Sequence, residues 1–133
     1  MKTGKKTDIM VIDDEELICW SLKSIFEKNE DFSVSCAHSA CDAIRKLTER
    51  QYDIVITDLK LPDISGMDLL KNIRGLINNT PLIVMSAYYP DPLKDYITKV
   101  DVFRCVNKPF EMSEITTSVE EATGCRIRGH SEK

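Results

Sequence analysis

No stretch of this 133-residue chain approaches the ~20 unbroken apolar residues that cross a bilayer as a helix. The opening segment, MKTGKKTDIMVIDDEE, also lacks the long apolar region and cleavage site of a secretory signal. Both absences argue against a membrane partner and for a cytoplasmic location. A basic excess is missing as well: 18 Lys and Arg face 22 Asp and Glu, for a net charge of -4. A surface that tracks phosphates needs the opposite balance, so direct nucleic-acid binding by this chain is not expected. There is no internal repeat, low-complexity tract or Gly/Ser linker, and the length is that of one ordinary domain. The five cysteines (19, 36, 41, 105 and 125) are odd in number and fall mostly within apolar patterns, which reads as reduced, buried thiols rather than a disulfide framework. Cys36, His38 and Cys41 lie close together, yet no second ligand pair stands at zinc-site spacing. A metal role there is set aside.

What is present is alternation. DIMVI (8–12), FSVSCA (32–37), DIVITD (53–58), PLIVMSA (81–87) and DVFRCV (101–106) read as strands, several of them short and almost wholly apolar, as strands covered on both faces are. Between them, apolar residues recur at helical spacing: Leu17, Ile18, Leu22, Ile25 and Phe26; then Ala43, Ile44 and Leu47 behind a capping Ser39; then Met67, Leu69, Leu70 and Ile73. Asp91-Pro92 reads as a fourth helix start, and 111–122 as a last helix. Five strand–helix units in a row predict a parallel sheet with helices on both faces, and ligands of such sheets bind beyond the carboxyl ends of the strands.

The residues that end the strands are therefore the informative ones. Asp13 and Asp14 end the first, Asp58 the third and Ser86 the fourth, while the fifth runs into Lys108 and Pro109. Taken singly, each has an ordinary explanation: an aspartate before a helix can cap it, and an aspartate before a Pro/Gly loop can serve a turn. Capping does not call for acids on two strands and a lysine after a third. Three carboxylates at one point suit Mg²⁺ or Mn²⁺, a carboxylate can accept a phosphoryl group as an acyl phosphate, and a lysine and a hydroxyl can then bind the phosphoryl oxygens.

VIDDEE (11–16), DIVITDLKLPDISGMDLL (53–70), PLIVMSAYY (81–89) and VNKPF (106–110), in this order and spacing, resemble the receiver domain of response regulators, the phosphoacceptor half of two-component signalling. The resemblance spans ~7 to ~123. It implies a flavodoxin-like α/β fold with a five-stranded parallel sheet of order 2-1-3-4-5, a receiver domain over 1–123, and a polar tail or the start of a linker to an output domain over 124–133. It makes Asp58 the phosphoacceptor, with Mg²⁺ (or Mn²⁺) held by Asp13, Asp14, Asp58 and the backbone carbonyl of Lys60. It assigns phosphoryl binding and switching to Ser86, Ala87 and Lys108, and expects a cis bond at Pro109. Lys60 and Tyr88 would flank the path of the hydrolytic water.

The implied partners are a sensor histidine kinase or phosphotransfer protein as donor, and an output domain, downstream protein or second copy meeting the face of the fourth helix, fifth strand and last helix. Such a domain is a regulatory switch, catalysing only its own phosphorylation and dephosphorylation; a phosphorylation-independent interaction module is the alternative. One position departs from the pattern. Cys105 stands where the family usually carries the Tyr or Phe of its switch, so signalling is expected to rely on shifts of the loop after the fourth strand and of the last helices instead of a ring at 105.

Overall fold

In the computed structural model, residues 6–125 are described. The strands are β1 (Thr7–Ile12), β2 (Phe32–Ala37), β3 (Ile54–Asp58), β4 (Leu82–Ser86) and β5 (Arg104–Asn107), and the helices α1 (Glu16–Phe26), α2 (Ala40–Glu49), α3 (Gly66–Leu76), α4 (Asp91–Lys99) and α5 (Met112–Thr123). All neighbouring strands are parallel, in the order β2-β1-β3-β4-β5. The alternation predicts the parallel sheet with helices on both faces, and the order is the flavodoxin-like one that the resemblance implies.

The two faces of the sheet follow from the twofold alternation of side chains along a strand. Met10, Ile12, Val55, Leu82 and Val84 pack with residues of α2, α3 and α4. Ile9, Val11, Ile54, Ile56, Ile83 and Met85 pack with residues of α1 and α5. Each central strand thus buries both faces, which is why its sequence is a continuous apolar run.

Local signals fix the helix ends. Ser39 Oγ accepts from the Asp42 amide (3.1 Å) and Ser65 Oγ from that of Asp68 (3.2 Å). Gly124 closes α5 in the left-handed region, at φ +76. Gly66 starts α3 so close to the preceding loop that a Cβ there would stand 3.0 Å from the Leu59 carbonyl oxygen. Arg74 joins distant segments: its guanidinium donates to the carbonyls of Ile77, Asn78, Thr80, Val100 and Asp101, tying the end of α3 to the end of α4. The Lys108–Pro109 peptide bond is cis.

Two expectations are corrected. The fifth strand begins at Arg104, not at 101: Asp101 has φ +60, which breaks an extended path, and the pairing with β4 starts at Ile83↔Arg104. As an edge strand it exposes Arg104 and Cys105 and buries Val106. The cysteines are all free, but of the five only Cys19 is buried; Cys36 and Cys125 are half-buried and Cys41 and Cys105 exposed. Cysteine tolerates the surface, so an apolar pattern around it does not fix its burial. Residues 126–133 of the expected tail lie outside the described residues.

Candidate functional site

The carboxyl edge of the sheet gathers the residues that end its strands. The Asp13 amide donates to the Ala37 carbonyl (3.0 Å), which extends the β1–β2 pairing by one step and draws the side chain inward. Asp13 is fully buried; its Oδ1 accepts from the Glu15 amide (2.8 Å) and its Oδ2 meets Lys108 Nζ at 2.8 Å. Asp14, one residue on, is exposed and lines a cleft of about 770 Å³. Asp58 is buried, with Oδ1 accepting from the Lys60 amide (3.0 Å) and Oδ2 standing 3.1 Å from Lys108 Nζ. Lys108 is placed by its own amide, which donates to the Ser86 carbonyl at 2.9 Å and locks the end of β5 to the end of β4.

Asp13, Asp14 and Asp58 each offer a carboxylate oxygen within 4.8 Å of the others, and no other group of three His, Cys, Asp or Glu among the described residues is so placed. Three hard oxygen donors fit a hard divalent cation such as Mg²⁺. Cys36, His38 and Cys41 do not form such a group. Instead, His38 Nδ1–H donates to the Asp13 carbonyl (2.9 Å), and so does the Cys19 thiol (3.6 Å), supporting the strand end from behind.

Burial sets the electrostatics. It raises the Asp13 carboxyl above its ordinary value, outweighing the opposing bonds from Lys108 and the Glu15 amide. Burial acts to lower Lys108, but its bonds to Asp13 and Asp58 win, and the ammonium holds its proton more tightly than a free lysine. The site is a carboxylate cluster with one partly buried cation at its centre.

Lys60, Ser86 and Ala87 line the same cleft. The Ser86 hydroxyl donates to the Tyr88 carbonyl (2.8 Å) and accepts from the Tyr88 amide (3.3 Å). Cys105 is not brought into the cleft; it stands on the exposed edge of β5, paired with Val84, and Pro109 lies in the grooves on either side of the chain that leaves β5. The exposed Trp20 lies outside it too.

One residue the sequence reading passed over is Asp63, in the loop after Asp58. Its two carboxylate oxygens accept from the amides of Ala40 and Cys41, both at 3.0 Å, so this loop caps α2 from outside. These bonds hold the carboxyl below its ordinary value. An aspartate in a loop that already holds Pro62 and Gly66 reads as a turn residue, and nothing local marks the helix it serves.

The family model for the response regulator receiver domain matches residues 9–120. The chain is 31% identical over 120 residues to the uncharacterized transcriptional regulatory protein YkoG of Bacillus subtilis, covering 89% of this chain and 51% of that one. It is 30% identical to the transcriptional regulatory protein FixJ of Rhizobium meliloti over 115 residues, 86% of this chain and 56% of that one. The chain thus spans about half of these curated relatives, and only 24% of the regulatory protein AtoC of Escherichia coli. A response regulator receiver domain from Clostridium thermocellum superposes with a TM-score of 0.78 at 28% identity, over 89% of this chain and 94% of that one. A CheY-like receiver domain protein from Methanospirillum hungatei gives 0.84 at 22% identity, over 90% and 95%, a likeness of fold.

Proposed function

This chain belongs to the response regulator receiver domain family, the phosphoacceptor switch of two-component signalling, and on that premise we propose that Asp58 is the carboxylate that takes the phosphoryl group. The observation that carries the assignment is the meeting of Asp58 with Lys108 (3.1 Å) and with the carboxylates of Asp13 and Asp14 at the mouth of one cleft. Asp58 lines the cleft with Lys108 beside its carboxylate, whereas Asp13 is fully buried and outside the cleft lining and Asp14 stands exposed at the rim. In the transfer, a carboxylate oxygen of Asp58 forms the new P–O bond as the donor's bond to phosphorus breaks, its electron pair leaving with the donor group.

Mg²⁺ (or Mn²⁺), held by Asp13, Asp14, Asp58 and the Lys60 carbonyl, would neutralise charge on the transferring group. Lys108 is placed to follow the phosphoryl oxygens, exchanging a carboxylate partner for a more highly charged one. Ser86 would donate to a second oxygen, with Ala87 leaving room beside it. Loss of the phosphoryl group to water would occur in the same cleft, past Lys60 and the exposed Tyr88. The donor would be a histidine kinase or phosphotransfer protein in the cytoplasm. The output would pass through the face formed by α4, β5 and α5 to an attached domain, a partner protein or a second copy.

Incubation with Mg²⁺ and a small acyl phosphate, read by intact mass, tests the assignment. One added phosphoryl is expected, absent in Asp58→Asn and absent in excess chelator. Phosphorylation that persists in Asp58→Asn would place the acceptor elsewhere.

A further inference from the structure

The segment between β4 and α4 is held at two points. At one end the Ser86 hydroxyl is closed on the backbone of Tyr88. At the other, the Tyr89 hydroxyl donates to the Val106 carbonyl at 2.7 Å and lies 3.5 Å from that of Val84. The Tyr89 ring is half-buried and packs on the sheet face that carries α3 and α4. Val84 pairs with Cys105, so a small side chain stands on the same sheet face beside the phenol. The next residue, Pro90, is the N-cap of α4 and offers no side-chain cap.

We propose that Tyr89 is a positioning residue for the Asp58 site: its phenol holds the β4–α4 segment against β5 in the arrangement that keeps the Ser86 hydroxyl bonded to the Tyr88 backbone, and it is released when that hydroxyl turns to a phosphoryl oxygen. This rests on the reading of Asp58 as the acceptor. A serine hydroxyl has one proton and can serve one acceptor at a time. The Tyr88 carbonyl, a neutral acceptor, holds it here, whereas a phosphoryl oxygen would make the stronger, charge-assisted bond. Turning the hydroxyl opens the Ser86–Tyr88 turn, and the residue next along the chain is the one that binds Val106. The Tyr89–Val106 bond therefore belongs to the unloaded arrangement and opposes loading. By linkage, removing it must tighten the binding of any group that recruits Ser86.

The direction of the effect separates this role from simple packing. Tyr89→Phe keeps the ring and deletes only the hydroxyl. Beryllofluoride with Mg²⁺, titrated by calorimetry, is expected to bind Tyr89→Phe about fivefold more tightly than the unaltered chain, the equivalent of one ordinary hydrogen bond. In a Ser86→Ala background, the same change is expected to have no effect on affinity. A ¹³C-tyrosine spectrum of the unaltered chain reads the same event without a variant: the Tyr89 Cζ resonance should move toward that of exposed Tyr88 on loading. Equal or weaker binding by Tyr89→Phe, or a gain that survives Ser86→Ala, overturns the role of Tyr89 while leaving Asp58 in place. Absence of beryllofluoride binding by the unaltered chain overturns the Asp58 reading and this inference with it.

Discussion

Lys108 Nζ stands 2.8 Å from Asp13 Oδ2, joining residues 95 positions apart in the chain across the carboxyl edge of the sheet. Asp13 is fully buried and Lys108 partly so, and a second carboxylate, Asp58, shares the same ammonium. The lysine thus does in this structure what a divalent cation would also do, neutralise crowded carboxylates, and a cation held as proposed by Asp13 and Asp58 would compete with it for the same oxygens.

Replacing Lys108 with Met keeps the volume and leaves that charge unbalanced. We expect the metal-free Lys108→Met protein to lose about 3 kcal/mol of stability in urea unfolding, as removal of one partner of a buried pair does. Because nothing then competes for Asp13 and Asp58, added Mg²⁺ should stabilise this variant more than the unaltered chain. Equal Mg²⁺ stabilisation in the two would show that lysine and cation do not share these ligands.

Asp63 gives a pH signature. The Ala40 and Cys41 amides hold its folded carboxyl below the ordinary value, so the charged form stabilises the fold at every pH above the unfolded carboxyl's value of about 3.9. That stabilisation fades as pH falls through the lower folded value. The melting temperature of Asp63→Asn should therefore lie below that of the unaltered chain by a constant amount from about pH 7 to 5, with the gap closing below about pH 4. A gap that stays open in strong acid would mean that the carboxylate charge is not what binds α2.

Cys36 should be the most acidic of the thiols on the α1 side of the sheet. The neighbouring Cys19 side chain lowers its thiol most, with His38, Lys23 and Lys46 adding positive charge, against the opposing effect of burial. Site-resolved alkylation across pH should give Cys36 a midpoint below that of Cys105, whose thiol is raised because its sulfur, on an otherwise exposed residue, is partly withdrawn from water. Cys19→Ala should move the Cys36 midpoint upward; no movement would assign the effect to the surrounding cations alone.

The fold was legible where burial is two-sided. β1, β3 and β4 read directly from DIMVI, DIVITD and PLIVMSA because strands covered on both faces leave little room for polar residues. β5 was displaced because an edge strand carries a weaker pattern, and Val102 and Phe103, apolar enough to read as strand, belong to the turn around Asp101. The site residues were legible for a topological reason: a parallel sheet delivers its strand ends to one edge, so Asp13, Asp14, Asp58, Ser86 and Lys108 could be gathered without knowing any distance. Their pairing could not. The bond from Asp63 to Ala40 of α2 spans 23 residues, and that of Tyr89 to Val106 spans 17; sequence spacing carries no trace of either.

The five carbonyl bonds of Arg74 have a mechanical consequence. Two of them fall on Val100 and Asp101, at the C-terminal end of α4, while its N-terminal end has only the β4–α4 segment before it. The rest of the helix is held by the burial of Leu93 and Ile97 against the sheet. The two ends of α4 are thus secured by different forces: directional bonds from Arg74 beyond its last turn, and non-directional apolar packing beneath the cleft near Pro90.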